Sequence, residues 1–255
     1  MDFQIEWEEQ LSSTNSAMRE QLEAQPSSTD GWILAAHQQT AGRGRLQRTW
    51  VTPPHSGLCF SLFLKTEAPI AQIPSSTMAT ALGVDDLLHT LQIPSAPKWP
   101  NDVLVENQKI CGILSERVEK RGIIIGVGLN VNLSPTEAAM IDRPATSIFM
   151  QTGLLHEPPN ILTALLPHLD HWLEQWKSSG FPAIQDEWTH RAGPIGKTLC
   201  VHDGAEKIEG KLAGFGSFGE LLLDTGHSTK TIWSGEIYHP DPKAFEGHKS
   251  ANNLH

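Results

Sequence analysis

The chain contains 255 residues, which is long enough for one sizeable domain with a full hydrophobic core and a second, smaller domain. Its 29 acidic and 19 basic residues give a formal net charge of −10, which argues against a general nucleic-acid-binding protein, because such proteins normally present a basic surface. The amino terminus lacks the basic and apolar regions of a signal peptide, and no apolar run is long enough to span a bilayer, so we expect a cytoplasmic protein without a membrane segment.

The first half of the chain predicts an α+β fold with a mixed sheet, because a helix is followed by several strands prone to antiparallel pairing and then by more helix. Ser13 is a plausible N-cap of the first helix, whose partly apolar face carries Met18 and Leu22. A core helix is predicted over 75–91. Predicted strands lie near 32–36, 58–64, 103–105, 110–117 and 123–127.

The second half predicts two helices followed by a small β-structure. The helix over 160–177 contains Pro167, which should kink it or mark an internal start, and a second helix covers 181–190. Short strands separated by glycine-rich turns then fit a small β-barrel; they lie near 198–202, 208–212, 221–224 and 230–233. With a boundary near Arg191, the expected division is a first domain at 1–191, a barrel at 192–240 and a flexible tail at 241–255.

A short stretch from Gly42 to Trp50, here named the Gly/Arg loop, concentrates two glycines, three arginines and one tryptophan. Glycine lets the backbone approach a ligand closely, and arginine side chains match the geometry of phosphate and carboxylate oxygens. The indole offers a flat face on which a base can stack. The composition therefore predicts a loop that wraps an anionic, nucleotide-bearing ligand, with a solvated basic turn as the alternative for this stretch taken alone.

Other landmarks accompany this loop along the chain. Ser13-Thr14-Asn15 opens the first helix, and Gln39 lies just before the loop. After the loop come Pro97-Lys98-Trp99-Pro100-Asn101-Asp102, Lys109-Ile110-Cys111-Gly112-Ile113-Leu114-Ser115-Glu116 and Gly126-Val127-Gly128-Leu129-Asn130. With these landmarks in this order, the chain from about Ser13 to Ile237 resembles the biotin–protein ligase family.

The resemblance implies an enzyme that makes biotinyl-5′-AMP from biotin and Mg-ATP and then transfers biotin to one lysine of a biotin carboxyl carrier protein. It implies a catalytic domain with the class II synthetase-like fold of biotin and lipoate ligases, followed by an SH3-like barrel. A monomer or a weak homodimer is expected. Because the chain starts only about a dozen residues before Ser13, we expect no helix-turn-helix module and no specific DNA binding.

The resemblance also assigns roles to single positions. Lys109 is expected to touch both the biotin carboxylate and the α-phosphate, Arg45 to close over the adenylate, and Asp102 to receive the acceptor lysine. The positions expected to bind biotin are Ser13, Thr14, Asn15, Gln39, Gly42, Arg43, Gly44, Arg45, Lys109 and Gly112. Those expected to bind ATP are Arg45, Arg48, Trp50, Asn101, Lys109 and Asn130. No protein ligand for Mg²⁺ is assigned, because the sequence shows no suitable group of carboxylates.

Most of these residues, taken singly, also have a purely structural explanation. Ser13 serves equally well as a helix cap alone, Trp50 as a core residue, and Arg48 as a surface charge. The Asn101-Asp102 pair after a proline fits an Asx turn. The joint pattern favours the functional interpretation for Lys109, Arg45 and Gln39.

One position departs from the family's usual loop, which often reads Gly-Arg-Gly-Arg-x-Gly-Arg, because Gln47 replaces the last glycine. We therefore expect this loop to fold or close differently, while the reaction itself is retained. Two alternative functions stay open from the sequence, namely a lipoate or octanoate ligase or transferase, and a non-catalytic biotin-binding module. Side chains suited to a ureido ring favour biotin, and the presence of Lys109 and Arg45 favours catalysis.

Overall fold

A computed structural model describes residues 1–24, 29–45, 48–119, 121–203 and 206–238. A seven-stranded mixed sheet forms its centre, in the order β1-β2-β3-β7-β6-β5-β4, with β1 parallel to β2 and the other pairs antiparallel. The strands are β1 (Gln4–Leu11), β2 (Trp32–Gln39), β3 (Gly57–Leu64), β4 (Ser95–Lys98), β5 (Asp102–Val105), β6 (Gln108–Val118) and β7 (Gly122–Asn130). The predicted α+β class and mixed sheet are confirmed.

Both faces of the sheet are covered, which explains why its central strands are continuous apolar runs. One face packs on α2 (Ser76–Thr90) and α5 (Pro158–Ser179), whose buried side chains join those of alternate sheet residues in the main core. The other face carries α1 (Thr14–Ala24), where Met18 and Leu22 pack on a smaller apolar cluster. Beside α1, small and polar residues replace the apolar ones on this second face, and they leave an open cleft.

The remaining helices are short or connect the two sheets. They are α3 (Pro135–Ala138), α4 (Ile148–Thr152) and α6 (Gln185–Ala192), with 3₁₀ turns at Ile70–Ser75 and Phe181–Ala183. None of the helices formed by the described residues is both long and apolar enough to cross a bilayer.

A second sheet follows α6 and is entirely antiparallel, in the order β11-β10-β9-β8-β12. Its strands are β8 (Thr198–His202), β9 (Lys207–Phe215), β10 (Leu221–Asp224), β11 (Thr229–Ile232) and β12 (Glu236–Tyr238). It packs against the first sheet through the shared core, and the Trp99 indole N–H donates to the Gly219 carbonyl at 2.9 Å. Within the described residues β11 and β12 are edge strands, so this is a five-stranded sheet; the predicted closed barrel is not confirmed.

Several predicted elements need correction. The helix predicted over 160–177 runs from Pro158 to Ser179 as one element, so Pro167 does not mark a start. The strands β1, β4 and β12 and the helices α3 and α4 were not predicted. Ser13 directly precedes α1 and accepts the Ala17 N–H at 3.0 Å with its carbonyl, so its predicted place at the helix start is confirmed. Gln47 and the tail at 241–255 lie outside the described residues.

Candidate active site

The cleft is built on one row of residues that crosses five strands side by side. Lys98 on β4 pairs with Asp102 on β5, Asp102 with Gly112 on β6, Gly112 with Gly128 on β7, and Gly128 with Cys59 on β3. Paired residues of neighbouring strands point to the same face of a sheet. The row therefore places a lysine and a carboxylate at one end of a floor made of two glycines.

The glycines in this floor make room for the side chain of Trp50. A Cβ atom at Gly128 would lie 2.4 Å from the indole, and one at Gly112 would lie 3.0 Å from it. The Trp50 ring thus lies flat against the strands, and the Lys109 Nζ lies 5.5 Å from a ring centroid. The Gly/Arg loop delivers an aromatic face into the cleft, as the sequence predicts, and the two glycines are the reason that it fits.

Two lysines and one carboxylate form the charged end of the cleft. Lys109 Nζ lies 2.5 Å from Asp102 Oδ1, and both side chains are mostly buried. A β-bulge between Val103 and Leu104 shifts the pairing of β5 with β6, so that Lys109 pairs with Leu104. Burial lowers the pKa of Lys98. The Asp102 carboxylate raises this pKa, and the neighbouring positive charge of Lys109 lowers it further.

Arg45 joins this group from the Gly/Arg loop. Its Nη1 donates to Asn101 Oδ1 at 3.0 Å, and its Nη2 donates to Ser234 Oγ, in the turn between β11 and β12, at 2.7 Å. Burial lowers the pKa of the Arg45 guanidinium, while nearby Asp102 raises it. The Asn101 amide in turn donates to the Ile113 carbonyl at 2.7 Å, which fixes the side chain that receives Arg45.

A polar pocket lies at the other end of the cleft, where α1 begins. Gln39 Oε1 accepts hydrogen bonds from the backbone N–H of Thr14 at 2.8 Å and from its hydroxyl at 3.1 Å. The Ser61 hydroxyl lies 2.8 Å from Thr14 Oγ1 and 2.6 Å from Asn15 Oδ1. Because the Gln39 oxygen already accepts two hydrogen bonds, any hydrogen bond from Gln39 to a ligand must come from its amide N–H₂, which also interacts with the Cys59 thiol. We name Ser13, Thr14, Asn15, Gln39 and Ser61 the head pocket.

The structure brings most of the predicted residues to one cavity. Its lining includes Ser13, Thr14, Asn15, Gln39, Arg43, Gly44, Arg45, Arg48, Trp50, Asn101, Asp102, Lys109, Gly112 and Asn130. Gly42 instead borders a second cavity beneath the Gly/Arg loop. Asn130 is buried and donates to the Thr146 and Lys109 carbonyls at 2.9 and 3.4 Å, so it also has a structural part in joining β6, β7 and the segment before α4.

Some residues at the cavity had no predicted role. Lys98, Arg143 and Glu236 line it, and Glu236 accepts two hydrogen bonds from Arg143 at 3.2 Å and pairs with Arg48. Lys98 lies in a recognised motif, so the sequence offered a signal for it. Arg143 and Glu236 are 93 residues apart, and nothing in the sequence indicates that they meet.

The two cysteines near the cleft are not nucleophiles. Cys59 and Cys111 are buried, and burial raises the pKa of both thiols above the ordinary value. A thiol nucleophile needs the thiolate, which burial disfavours. In the part of the chain that the structure describes, no group of three or more His, Cys, Asp or Glu side chains is gathered in a way that holds a metal ion.

The known proteins to which this chain is similar agree with the geometry of the cleft. The model of the Biotin/lipoate A/B protein ligase family matches residues 7–130, a span that includes α1, the Gly/Arg loop and the whole cross-strand row. The fold and the cleft thus define the class of protein as that of ligases that attach biotin or lipoate to proteins.

Relatives that match most of this chain define the family more closely. The bifunctional ligase/repressor BirA of Bacillus subtilis is 30% identical over 233 residues, which cover 89% of this chain and 71% of the relative. The biotin–acetyl-CoA-carboxylase ligase of Mycobacterium tuberculosis is 30% identical over 236 residues, covering 90% and 86%. The crystallised biotin protein ligase of Aquifex aeolicus, in complex with biotin and ATP, superimposes with a TM-score of 0.75 at 28% identity, covering 92% and 97%. The chain belongs to the biotin–protein ligase family.

Proposed function

We infer that this chain activates biotin with ATP and transfers it to a lysine of a biotin carboxyl carrier protein. In the first step a biotin carboxylate oxygen attacks the α-phosphorus of ATP, a new P–O bond forms, and pyrophosphate leaves. In the second step the lysine amine attacks the acyl carbon, and AMP leaves with the electron pair of the broken C–O bond. The observation that carries this inference is the cross-strand row, with cations at one end and the head pocket beyond the other.

The first step moves no proton, and its main obstacle is the approach of two anions. Lys109, Lys98 and Arg45 converge on the Asp102 end of the cleft. Cations that are already fixed in place need no reorganisation when charge develops on the α-phosphate. By comparison with other preorganised donors, each lowers the activation barrier by about 2–4 kcal/mol. Lys109 is the best placed of the three, since its ammonium lies beside the glycine floor and the Trp50 ring.

The head pocket supports biotin over lipoate. Thr14 and Gln39 offer a hydroxyl oxygen and an amide N–H₂ within one small polar site, which suits a ureido ring that both donates and accepts. A dithiolane head has no group to satisfy these side chains, so burying it there would leave polar atoms unpaired. Leaving a buried polar group unpaired costs about 1–3 kcal/mol.

Asp102 supports the second step. A lysine ammonium attacks only after it loses a proton, and a nearby carboxylate orients it and assists that loss. One Asp102 oxygen pairs with Lys109 at 2.5 Å, which keeps the carboxylate inside the cleft. We propose that the acceptor amine approaches its other oxygen.

Magnesium enters as part of the substrate, bound to the phosphates of ATP. Mg²⁺ keeps several waters and takes few protein ligands when phosphates are present, so the cleft needs no dedicated group of carboxylates. Arg48 and Asn101 are proposed to face the phosphates, and Trp50 and Asn130 the adenine.

The second sheet is proposed to be an SH3-like barrel that belongs to a domain at 192–240, separate from the catalytic domain at 1–191. Its strand order and its contact with Arg45 through Ser234 support a part in shaping the nucleotide end of the cleft. The acceptor is proposed to be the carrier domain of a biotin-dependent carboxylase, and the ligase a monomer or a weak homodimer.

Pyrophosphate release tests the function directly. Purified protein is incubated with Mg-ATP and either biotin or lipoate, without a carrier protein, and pyrophosphate is measured. Biotin is expected to give a burst close to one equivalent per enzyme, and lipoate is expected to give none. A burst with lipoate alone would assign the chain to the lipoate branch of the family.

A further inference from the structure

Backbone bonds join the two described halves of the Gly/Arg loop, 42–45 and 48–50. The Trp50 N–H donates to the Gly42 carbonyl at 2.9 Å, Arg43 forms a bridge with Thr49, and the Gly44 N–H donates to the Arg48 carbonyl at 2.7 Å. Side chains of these two halves then join them to the rest of the protein. Arg45 and Arg48 make such contacts at the nucleotide end of the cleft.

Arg43 makes a contact at the opposite end. Its Nη2 lies 3.1 Å from Glu116 Oε2, and the same oxygen accepts a hydrogen bond from Asn15 Nδ2 at 2.8 Å. The Glu116 side chain is only 22% exposed. It stands on β6 at the floor of the second cavity, directly beneath the loop. One carboxylate thus holds both the loop and a residue of the head pocket.

The chain of contacts continues from Asn15 into the ligand site. A carboxylate only accepts hydrogen bonds, so the Asn15 amide must turn its N–H₂ towards Glu116 and its oxygen towards Ser61. Gly126 makes this possible, because a Cβ atom there would lie 2.2 Å from Asn15 Oδ1. Ser61 donates to Asn15 Oδ1 and lies 2.8 Å from the Thr14 hydroxyl, and the Thr14 backbone N–H donates to Gln39 at 2.8 Å.

We propose that Glu116 is a positioning residue that couples the Gly/Arg loop to the head pocket, so that biotin bound at Thr14 and Gln39 is retained by the loop. The coupling runs from Arg43 through Glu116, Asn15 and Ser61. The inference rests on the proposed function, because it takes biotin as the ligand of the head pocket. Asn15, predicted to bind biotin, acts in this scheme by orienting its neighbours.

The chain offers a matched control for the charge of Arg43. Arg19 on α1 also approaches Glu116, with Nη2 3.9 Å from the same oxygen, and its Nη1 donates to the Arg117 carbonyl at 3.1 Å. It does not belong to the loop. Removing Arg19 therefore takes one positive charge from the surroundings of Glu116 without releasing the loop, whereas removing Arg43 does both.

The test measures how fast labelled biotin dissociates from the full-length protein after dilution into excess unlabelled biotin. Arg43→Ala is expected to speed dissociation by roughly three- to tenfold, as for the loss of a partly buried, charge-assisted contact. Glu116→Gln is expected to do the same or more, and the double variant to be no faster than the faster single one. Arg43→Lys should recover part of the loss, and Arg19→Ala should stay within about twofold of the wild type.

Two results overturn the inference while leaving the function intact. One is an unchanged dissociation rate in Arg43→Ala, a variant at a half-exposed position that should fold normally. The other is a double variant whose effect equals the product of the two single effects, since independent sites combine in that way. Failure of folded wild-type protein to bind biotin at all would instead reject the proposed function, and this inference with it.

Discussion

Replacing Lys109 by alanine should slow adenylate formation more than any other single change in the cleft. The substitution removes a fixed cation from the site where two anions meet, which costs a factor of about 10²–10³ in rate at comparable sites. It also exposes the Asp102 carboxylate, which Lys109 holds at 2.5 Å. A negative charge about 4 Å from an incoming carboxylate or phosphate opposes it by at most roughly 4 kcal/mol at an effective dielectric constant of about 20, because Lys98 and Arg45 still offset part of it.

The two contributions can be separated in the same assay. Pyrophosphate release in a single turnover, with biotin and Mg-ATP, is compared for the wild type, Lys109→Ala and Lys109→Ala/Asp102→Asn. The double variant lacks the uncompensated carboxylate, so it should be faster than Lys109→Ala and still about 10²–10³-fold slower than the wild type. Thermal unfolding serves as the control, because the rates are compared only for variants that remain folded at the assay temperature. A rate for Lys109→Ala within threefold of the wild type would refute the role given to the lysine.

Three further predictions concern other parts of the molecule. Asp102→Asn should slow transfer to the carrier by about 10²-fold or more while reducing pyrophosphate release much less; equal losses in both steps, measured separately, would contradict the assignment of Asp102 to the second step. Gly128→Ala should push the Trp50 ring off the cleft floor and weaken ATP binding in calorimetry by about tenfold or more, since the new Cβ atom would lie 2.4 Å from the indole; unchanged affinity would show that the ring position is irrelevant to nucleotide binding. Arg191→Ala removes the guanidinium that lies 3.0 Å from the fully buried Asp85 carboxylate. Denaturant unfolding should show that the free energy of unfolding falls by about 3–5 kcal/mol. A fall of less than about 1 kcal/mol would mean that Asp85 is satisfied without Arg191.

The sequence predicted most of the first sheet because its strands are buried on both faces. In β3 and β7 this burial leaves nearly continuous apolar runs, which are recognisable in one dimension. The strand β1 was missed for the opposite reason. Most of its side chains are exposed, and it is held by backbone pairing with β2, which leaves no apolar pattern to detect.

The short helix α3 is a different case, because its signal was present. Ser134 and Glu137 form a capping box, with both reciprocal hydrogen bonds made, and the pattern Ser-Pro-Thr-Glu is readable in the sequence. Four residues of helix carry no apolar periodicity of their own, so only the cap distinguishes such an element from a loop.

The site residues were predicted from short sequence motifs, so contacts between residues that lie far apart in the chain could not be predicted. Lys109 and Asp102 lie seven residues apart in recognised segments, whereas the contact of Arg45 with Ser234 spans 189 residues and depends on how the two sheets pack. The place of Ser61 was not foreseen, although a serine within the apolar run of β3 is a signal in itself. Buried polar side chains in such runs are usually hydrogen-bonded to something specific.

Direct detection of the mixed anhydride is the measurement that tests the account most closely. Purified protein, biotin and Mg-ATP are mixed without a carrier protein, and the contents of the cleft are released by denaturation and analysed by mass spectrometry. Close to one equivalent of biotinyl-5′-AMP per enzyme is expected, with pyrophosphate in equal amount. Bound biotin with no adenylate and no pyrophosphate would contradict it and leave a protein that binds the vitamin without activating it.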